Sequence, residues 1–285
     1  MCRLLAYQGS PLAVDDLLYK PQYSLINQSH HAREMAEPLN GDGFGLGWYA
    51  PEVSTEPAVF TSISPAWNNR NLRYMAPKLV SPCICAHVRA ASEGDVVENN
   101  CHPFHHGNLL MMHNGGVHNF SRIKRALIDK LTDEHFLWIQ GQTDSEHLFA
   151  LFLNHYQCTT GHGAEAMATA LEAMFRDLAA LKSNYSLTHA SALNMVVTDG
   201  VETVASRYID DPRGTPLSLH HTEGSHYVCD EQGCGMRPAP SHEQAVLIAS
   251  EPLTRETEHW KSVPANHFAL VNSHNQVSFQ PIEGV

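Results

Sequence analysis

Basic residues are scarce in this 285-residue chain, which carries 18 Lys and Arg against 30 Asp and Glu and a formal net charge of −12. This balance argues against a nucleic-acid partner, because phosphates would be repelled and nucleic-acid-binding proteins usually present a basic stripe. No apolar run approaches the ~20 residues that a membrane-spanning helix needs. Residues 1–8 turn polar too soon for a secretory signal. We therefore expect a cytoplasmic protein that binds neither nucleic acid nor membrane.

Cysteine is a minor component, with seven residues in an irregular arrangement. Without a secretory signal, this pattern predicts mostly reduced thiols rather than a disulfide framework. Cys83 and Cys85, two apart in an apolar run, are expected to pack in the core. Segment 229–234, with a cysteine at each end, is predicted to be a loop. Its spacing is unlike the short cysteine pairs of most zinc sites.

Histidine is abundant, with twenty residues, and segment 101–106 contains one cysteine and three histidines. A zinc site needs three or four converging ligands, and no second cluster has matching spacing. We therefore expect this segment to be a loop that lines a pocket. We expect no metal and no cofactor.

Apolar strands dominate the first part of the chain, the first of them starting almost at the N-terminus. Segment 40–49 has four glycines spaced two apart, which lack the spacing of a phosphate-binding loop. This alternation favours a strand close to another backbone or to a substrate. The predicted strands 83–89 and 108–112 end in polar residues, a common way to line a pocket from a rigid scaffold.

Helices are predicted next along the chain. Ser121 can cap a helix that carries Ile123, Leu127 and Leu131 on one face. Residues 143–146 (Thr-Asp-Ser-Glu) match a capping box before an apolar run. A third helix is expected over about 164–181, with core residues at helical spacing.

Strands return in the last third, at 193–198, 201–208, 245–249, 268–271 and 277–279. Asp199-Gly200 predicts a hairpin turn between the first two. Strands, helices and then strands again indicate an α+β layered fold with antiparallel sheets. The lack of a linker or repeat favours one domain.

Cys2 is the strongest candidate for chemistry, because removal of Met1 would give it a thiol and a free α-amine. The α-amine titrates near 7.7–8.0 and the thiol near 8.5 in reference peptides, so the amine can accept the thiol proton at neutral pH. Such a residue is a nucleophile with its own general base. A cysteine at position 2 is by itself a weak signal.

The surrounding polar residues complete a site for an amino-acid derivative. Asn114 and Gly115 offer a side-chain amide and a backbone N–H for an oxyanion, where each donor is worth ~3–4 kcal/mol. Arg89 can bind an α-carboxylate with two parallel hydrogen bonds, with the Ser92 hydroxyl nearby. Asp144 can bind an α-ammonium or simply stabilise a helix start.

These residues fall in motifs that resemble the class-II glutamine amidotransferases, which are N-terminal-nucleophile hydrolases. The resemblance is dense over residues 1–153 and returns at 250–254. The order and rough spacing of six motifs agree with the family. These motifs are Met1-Cys2-Arg3, Asn40-Gly41-Asp42-Gly43-Phe44-Gly45, His87-Val88-Arg89, Asn100-Cys101-His102-Pro103, His113-Asn114-Gly115 and Thr143-Asp144-Ser145-Glu146. It implies a four-layer αββα sandwich of two mainly antiparallel sheets, in one amidotransferase domain over 2–285.

The resemblance also implies roles for individual residues. Cys2 would be the nucleophile, Asn114 and Gly115 the oxyanion hole, and Arg89 and Asp144 the binding groups for the γ-glutamyl moiety. His102 would support the loop that shapes the pocket. Many glutaminase domains have Trp and His shortly after the arginine, where they help to close the pocket, whereas this chain reads Arg89-Ala90-Ala91-Ser92-Glu93.

Two further segments, 24–29 and 65–72, resemble the amidotransferase-like subunit of the glutathione-degrading Dug complex. They are less similar to the γ-glutamyl hydrolase of ergothioneine biosynthesis. Trp67 would pack against the non-glutamyl half of a substrate or serve as a partly buried structural residue. A small γ-glutamyl substrate and a peptidase or synthase partner subunit are implied.

Three functions follow from the sequence. The first is hydrolysis of a γ-glutamyl amide, as in glutathione, through a thioester on Cys2. The second is a glutaminase subunit that supplies ammonia to a separate synthase. The third is a non-catalytic metal- or partner-binding protein that retains the fold.

Overall fold

A computed structural model describes residues 2–34, 39–91, 94–231, 233–238, 244–255 and 259–283. Two antiparallel sheets account for the strands of these residues. No helix in the described part of the chain is both long and apolar enough to cross a membrane.

The larger sheet has the strand order β10-β9-β11-β1-β4-β2-β3, and β12 pairs with β9. Its strands are β1 (Arg3–Ala13), β2 (Phe44–Ala50), β3 (Ser54–Ser62), β4 (Val80–Val88), β9 (His220–Asp230), β10 (Gly233–Arg237), β11 (Ala245–Ala249) and β12 (Lys261–Ser262). β1 lies at the centre, with Arg3 paired with Val88 and Leu5 paired with Ala249.

The smaller sheet has the order β14-β13-β8-β7-β6-β5. Its strands are β5 (Phe104–His106), β6 (Leu109–Gly116), β7 (Ala192–Thr198), β8 (Thr203–Arg207), β13 (His267–Val271) and β14 (Val277–Pro281). The helices are α1 (Asp15–Leu18), α2 (Leu25–His31), α3 (Arg70–Met75), α4 (Phe120–Ile128), α5 (Asp133–Trp138), α6 (Asp144–Tyr156) and α7 (Gly163–Asn184).

Three apolar clusters show how the layers stack. The central cluster joins residues of both sheets, such as Leu4 and Cys85 from the larger and Met112 and Val196 from the smaller. A second cluster packs α1, α2 and α3 on the outer face of the larger sheet. A third packs α4, α6 and α7 on the outer face of the smaller sheet. This is the predicted αββα sandwich. Strands that are buried on both faces have sequences that are continuous apolar runs.

Most predicted elements are present, with shifted boundaries. β6 continues through His113, Asn114 and Gly115, which were predicted to follow the strand. The helix predicted to be capped by Ser121 begins earlier, after Asn119 in a left-handed conformation (φ 58°). The capping prediction at Thr143 is half right. Its hydroxyl accepts from the Glu146 N–H at 3.3 Å, while the Glu146 carboxylate instead binds the backbone N–H groups of residues 140 and 141.

The prediction that segment 229–234 is a loop was wrong. Cys229 and Cys234 lie opposite each other on β9 and β10 and form a disulfide. Cross-strand pairing brings the two side chains together, whereas their sequence spacing alone suggested no pairing. The other five cysteines are free, and Cys83 and Cys85 are buried in the core, as predicted.

Candidate active site

Cys2 lies where β1 begins, beside the end of β4. The Ala90 backbone N–H donates to the Cys2 Sγ at 3.4 Å, and the Ala90 carbonyl oxygen is 3.6 Å from the same sulfur. Burial raises the pKa of the Cys2 thiol, and the Ala90 hydrogen bond and the charges of Arg89 and Arg3 oppose that rise. A thiol that stays protonated near neutral pH needs a base to become a nucleophile.

Arg89 follows β4 directly and is buried. Its Nη1 donates to the Asp95 carbonyl at 3.1 Å and its Nη2 to the Gly94 carbonyl at 3.5 Å. Its backbone N–H donates to the Gly43 carbonyl at 2.8 Å. The guanidinium is therefore held by the loop at 94–95, and the Arg89 backbone is held by the glycine-rich segment. The Arg89 charge acts on the Cys2 thiol and lowers its pKa. The predicted partner Ser92 lies outside the described residues.

Asn114 reaches from β6 toward β1. Its Nδ2 donates to the Ser250 hydroxyl at 3.2 Å, and this hydroxyl also accepts from the Leu4 N–H at 3.1 Å. The amide therefore lies near Leu4 in β1, which is two residues along the chain from Cys2. A primary amide has a second N–H, which can serve an oxyanion. Gly115 has φ +143°, and a side chain there would overlap the Ala192 carbonyl, so this position requires glycine.

Asp144 occupies the first turn of α6 and is buried. Its carboxylate accepts from the Val117 and Ser145 N–H groups, each at 2.7 Å. These bonds join the residue after β6 to the start of α6, a link that the sequence did not predict. The carboxylate charge also lies close to Gly116, the residue after Gly115.

Three buried histidines, His87, His102 and His113, lie close together, and we call this cluster the wall. The His102 ring centroid is 4.3 Å from that of His87 and 4.7 Å from that of Phe104. The Nε2 of His87 donates to the His113 carbonyl at 3.3 Å. Burial lowers the pKa of His87 to about 3 and that of His102 well below its usual value, so both rings are neutral at pH 7. The two rings pack against each other, and the supporting role of His102 stays a prediction.

Trp67 lies on the outer side of the glycine-rich segment and is 39% exposed. Its ring contacts Gly41 and makes an edge contact with His30 at a centroid distance of 5.8 Å. The next residue, Asp42, accepts from the Ala91 N–H at 2.8 Å. Trp67 therefore flanks the loop that adjoins the thiol and keeps a face open to solvent.

Asn100 is a buried residue whose role was not predicted, although it begins the motif at 100–103. Its Nδ2 donates to the Asp95 carbonyl at 2.9 Å, and its Oδ1 accepts from the Gln142 N–H at 2.9 Å. It thus connects the loop that holds Arg89 to the segment that leads into Asp144. Such a bridge between distant loops leaves no periodic signal in the sequence.

Family membership follows from comparison with known proteins. A family model described as "Glutamine amidotransferases class-II" matches residues 1–281. The chain belongs to the class-II glutamine amidotransferases. It is an enzyme of this family, as the motifs predicted.

Two curated relatives are similar to this amidotransferase. The "Probable glutamine amidotransferase DUG3" of Saccharomyces cerevisiae is 40% identical over 291 residues, which cover 95% of this chain and 82% of that protein. The "Gamma-glutamyl-hercynylcysteine sulfoxide hydrolase" of Mycobacterium tuberculosis is 36% identical over 119 residues, 41% of this chain and 50% of that protein. The predicted reaction class, cleavage of a γ-glutamyl amide in a class-II amidotransferase fold, is confirmed by these matches.

Solved structures agree on the fold. A glutamine aminotransferase class-II domain protein from Silicibacter pomeroyi superposes with a TM-score of 0.70 at 22% identity, covering 98% of each chain. The phosphoribosylpyrophosphate amidotransferase of Bacillus subtilis gives 0.59 at 15% identity, covering 100% of this chain and 50% of that one. The predicted sandwich of N-terminal-nucleophile hydrolases is confirmed.

Proposed function

We propose that this enzyme hydrolyses the γ-glutamyl amide bond of a small thiol peptide of the glutathione type. The observation that carries the proposal is the position of the Cys2 thiol, which is held by Ala90 and lies within reach of the charge of the anchored Arg89 guanidinium. The similarity to DUG3 over most of both chains and the shorter match to a γ-glutamyl hydrolase support the same substrate class.

In the proposed first step, the α-amine of Cys2, freed by removal of Met1, takes the thiol proton. The sulfur then attacks the γ-carbonyl carbon. The oxyanion accepts hydrogen bonds from the Asn114 side chain and the Gly115 N–H, and Arg89 and Asp144 hold the α-carboxylate and α-ammonium of the glutamyl group. Collapse of the intermediate breaks the C–N bond, and the protonated α-amine gives its proton to the departing amine.

The second step hydrolyses the γ-glutamyl thioester. The α-amine, again neutral, takes a proton from water, and the hydroxide oxygen attacks the thioester carbon. The C–S bond breaks, glutamate leaves, and the thiol is restored. No imidazole is needed in either step, which suits a site whose neighbouring histidines His87 and His102 are buried and neutral.

Trp67 provides a surface for the part of the substrate beyond the scissile bond. A cysteinyl-glycine leaving group extends away from the γ-carbonyl and would reach an exposed aromatic side chain at the edge of the site. The proposal also includes the predicted single domain over 2–285, a cytoplasmic location and a peptidase partner that consumes the released dipeptide.

The test is release of glutamate from glutathione, γ-glutamylcysteine and glutamine by wild-type enzyme and Cys2→Ala. Intact mass must first show that Met1 is absent from the wild-type sample. We expect glutathione to give the highest kcat/KM, with equal amounts of glutamate and cysteinyl-glycine, and Cys2→Ala to be inactive. Equal cleavage of glutamine with ammonia release would instead support a glutaminase.

The glutaminase alternative has one specific observation in its favour. Residues of this chain match the "Glutamine--fructose-6-phosphate aminotransferase [isomerizing]" of Saccharomyces cerevisiae with 27% identity over 128 residues, 44% of this chain and 16% of that protein. A glutaminase of this kind would need a synthase partner to use the ammonia. Addition of such a partner would then raise glutamine turnover, whereas glutathione turnover would stay unchanged.

A further inference from the structure

Three side chains outside the candidate active site converge on one point. His106 ends β5, and Glu134 and His135 lie in the first turn of α5. Their nearest potential ligand atoms all lie within 4.8 Å of one another. His106 is half-buried, Glu134 is exposed and His135 is buried, so the cluster opens to solvent on one side.

Two neighbouring side chains offer hydrogen-bond partners to the Nδ1 atom of His135. Its Nδ1 lies 3.3 Å from Asn154 Oδ1 and 3.1 Å from Thr132 Oγ1. Asn154 Oδ1 also accepts from the Thr132 N–H at 3.0 Å, and Asn154 Nδ2 donates to the Lys130 carbonyl at 3.3 Å. The orientation of this amide is therefore fixed, and an N–H at Nδ1 of His135 can donate to its oxygen. Its Nε2 then carries a lone pair.

This arrangement is the one that metal-binding histidines show. Such a histidine almost always donates its other ring N–H to a carbonyl, carboxylate or water, which orients the ring and increases its basicity. Here the Asn154 amide oxygen has that role. The His106 and His135 rings meet edge to face at a centroid distance of 5.7 Å, and Trp138 packs beside His106 at 6.2 Å.

We propose that His106, Glu134 and His135 bind one Zn²⁺ ion. Two imidazoles and one carboxylate form a three-ligand set that zinc accepts with a water molecule in the fourth position. With bonds of about 2.0–2.1 Å, ligand atoms in a tetrahedral site are roughly 3.3 Å apart. Rotation of the exposed Glu134 side chain and a small movement of His106 would bring the ligand atoms from their present spacing, within 4.8 Å, to this shorter distance. The sequence-based expectation of no metal considered segments 101–106 and 229–234, whereas Glu134 and His135 lie about 30 residues after His106.

The zinc ion would connect two segments that flank the active site. β5 directly follows the His102-Pro103 segment of the wall, and α5 leads through residues 139–143 into Asp144. A metal that bridges His106 and His135 would hold these segments together and stabilise the folded state by mass action. The role proposed for the ion is stabilisation, because it would bridge β5 and α5.

The test measures Zn²⁺ binding to metal-free protein by competition with a chromophoric chelator, in a Cys2→Ser background that removes the active-site thiol. The variants are His106→Ala and Glu134→Gln, and the matched control is His105→Ala, an exposed histidine that is the adjacent residue on the same strand. Thermal melting with and without Zn²⁺ gives a second readout, and Co²⁺ absorption reports tetrahedral coordination.

We expect one Zn²⁺ per chain and a higher melting temperature when it is bound. Both His106→Ala and Glu134→Gln should weaken binding at least tenfold and remove the Co²⁺ absorption, while His105→Ala stays within twofold of its parent. Absence of saturable binding would overturn the proposal. Equal weakening by His105→Ala and His106→Ala would also overturn it, since that result describes diffuse binding by surface histidines. Glu134→Gln keeps the test decisive if His106→Ala does not fold.

Discussion

Arg3 and Glu251 form a buried ion pair, in which Arg3 Nη1 and Glu251 Oε1 are 3.4 Å apart. Arg3 is the residue that follows the predicted nucleophile Cys2. The same carboxylate accepts from the backbone N–H groups of Arg33 and Glu34 at 2.9–3.1 Å. Glu251 therefore connects the start of β1 to the segment after α2. The pair therefore anchors the residue that follows Cys2.

Glu251→Gln should destabilise the protein by about 3–5 kcal/mol, because the buried guanidinium loses the carboxylate that compensates its charge. Chemical denaturation measures this change in the free energy of unfolding. Asp129→Asn is the matched control, since the Arg125–Asp129 pair is exposed and such pairs contribute about 0–1 kcal/mol. Equal losses in both variants would show that the buried pair has no special role.

The α-amine of Cys2 should control the pH dependence of turnover. Only the neutral amine accepts the thiol proton, so kcat/KM should fall as pH decreases below the amine pKa, near 7.7–8.0 in reference peptides. A pH profile of the processed enzyme measures this. Insertion of Lys between Met1 and Cys2 blocks removal of Met1 and gives the control. Turnover by that variant at wild-type rate would exclude the amine as base.

Arg89→Lys should lower kcat/KM by roughly ten- to a hundredfold, mainly through KM. An ammonium cannot form the two parallel hydrogen bonds of a guanidinium, and a charged hydrogen bond contributes about 1.5–3 kcal/mol. Steady-state kinetics with glutathione measures the loss. Because Arg89 also binds the carbonyls at 94–95, thermal melting must accompany the kinetics. Unchanged KM in a folded variant would place Arg89 outside the substrate site.

The buried His87 should make the protein sensitive to acid. Burial lowers its pKa to about 3 in the folded state, whereas the unfolded chain titrates near 6.5. Above pH 6.5 both states are neutral, and between 6.5 and about 3 only the unfolded state takes up the proton, so stability falls as pH decreases. His87→Gln should flatten this dependence in denaturation at several pH values. An unchanged slope would show that His87 does not contribute.

The sequence predicted most strands and helices because each has its own local apolar pattern. The long α7 helix and the hairpin of β13 and β14 are present, and so is the αββα order that the family resemblance implied. The extension of β6 was missed because His113, Asn114 and Gly115 are polar or small, although the sheets bury the first two. Polar residues inside a buried strand are typical of functional sites, where local rules fail.

Features that depend on distant contacts could not be predicted. The Cys229–Cys234 disulfide requires the register of two strands, and Asn100 connects two loops about 40 residues apart. The roles of the motif residues Cys2, Arg89, Asn114, Gly115 and Asp144 came from resemblance and chemistry. The structure brings Cys2 and Arg89 together and places Asn114 near β1, but their catalytic roles remain predictions.

The glycine-rich strand supplies a test of close packing at the site. A Cβ added at Gly45 in β2 would overlap the His102 carbonyl oxygen, whereas one added at Gly235 in β10 meets no atom within 4 Å. Gly45→Ala should therefore destabilise the protein by about 1–3 kcal/mol, since either β2 or the backbone at His102 must shift. Gly235→Ala should be neutral or slightly stabilising, by up to ~1 kcal/mol, because it only restricts the unfolded chain.

Thermal melting of the two glycine variants measures the difference, and kinetics adds a second readout. Because the displaced backbone at His102 belongs to the wall of the proposed site, Gly45→Ala should also raise KM, whereas Gly235→Ala should leave KM unchanged. Equal melting temperatures for the two variants would contradict the close approach of β2 to the wall. A lower melting temperature with normal KM would restrict the role of this contact to stability.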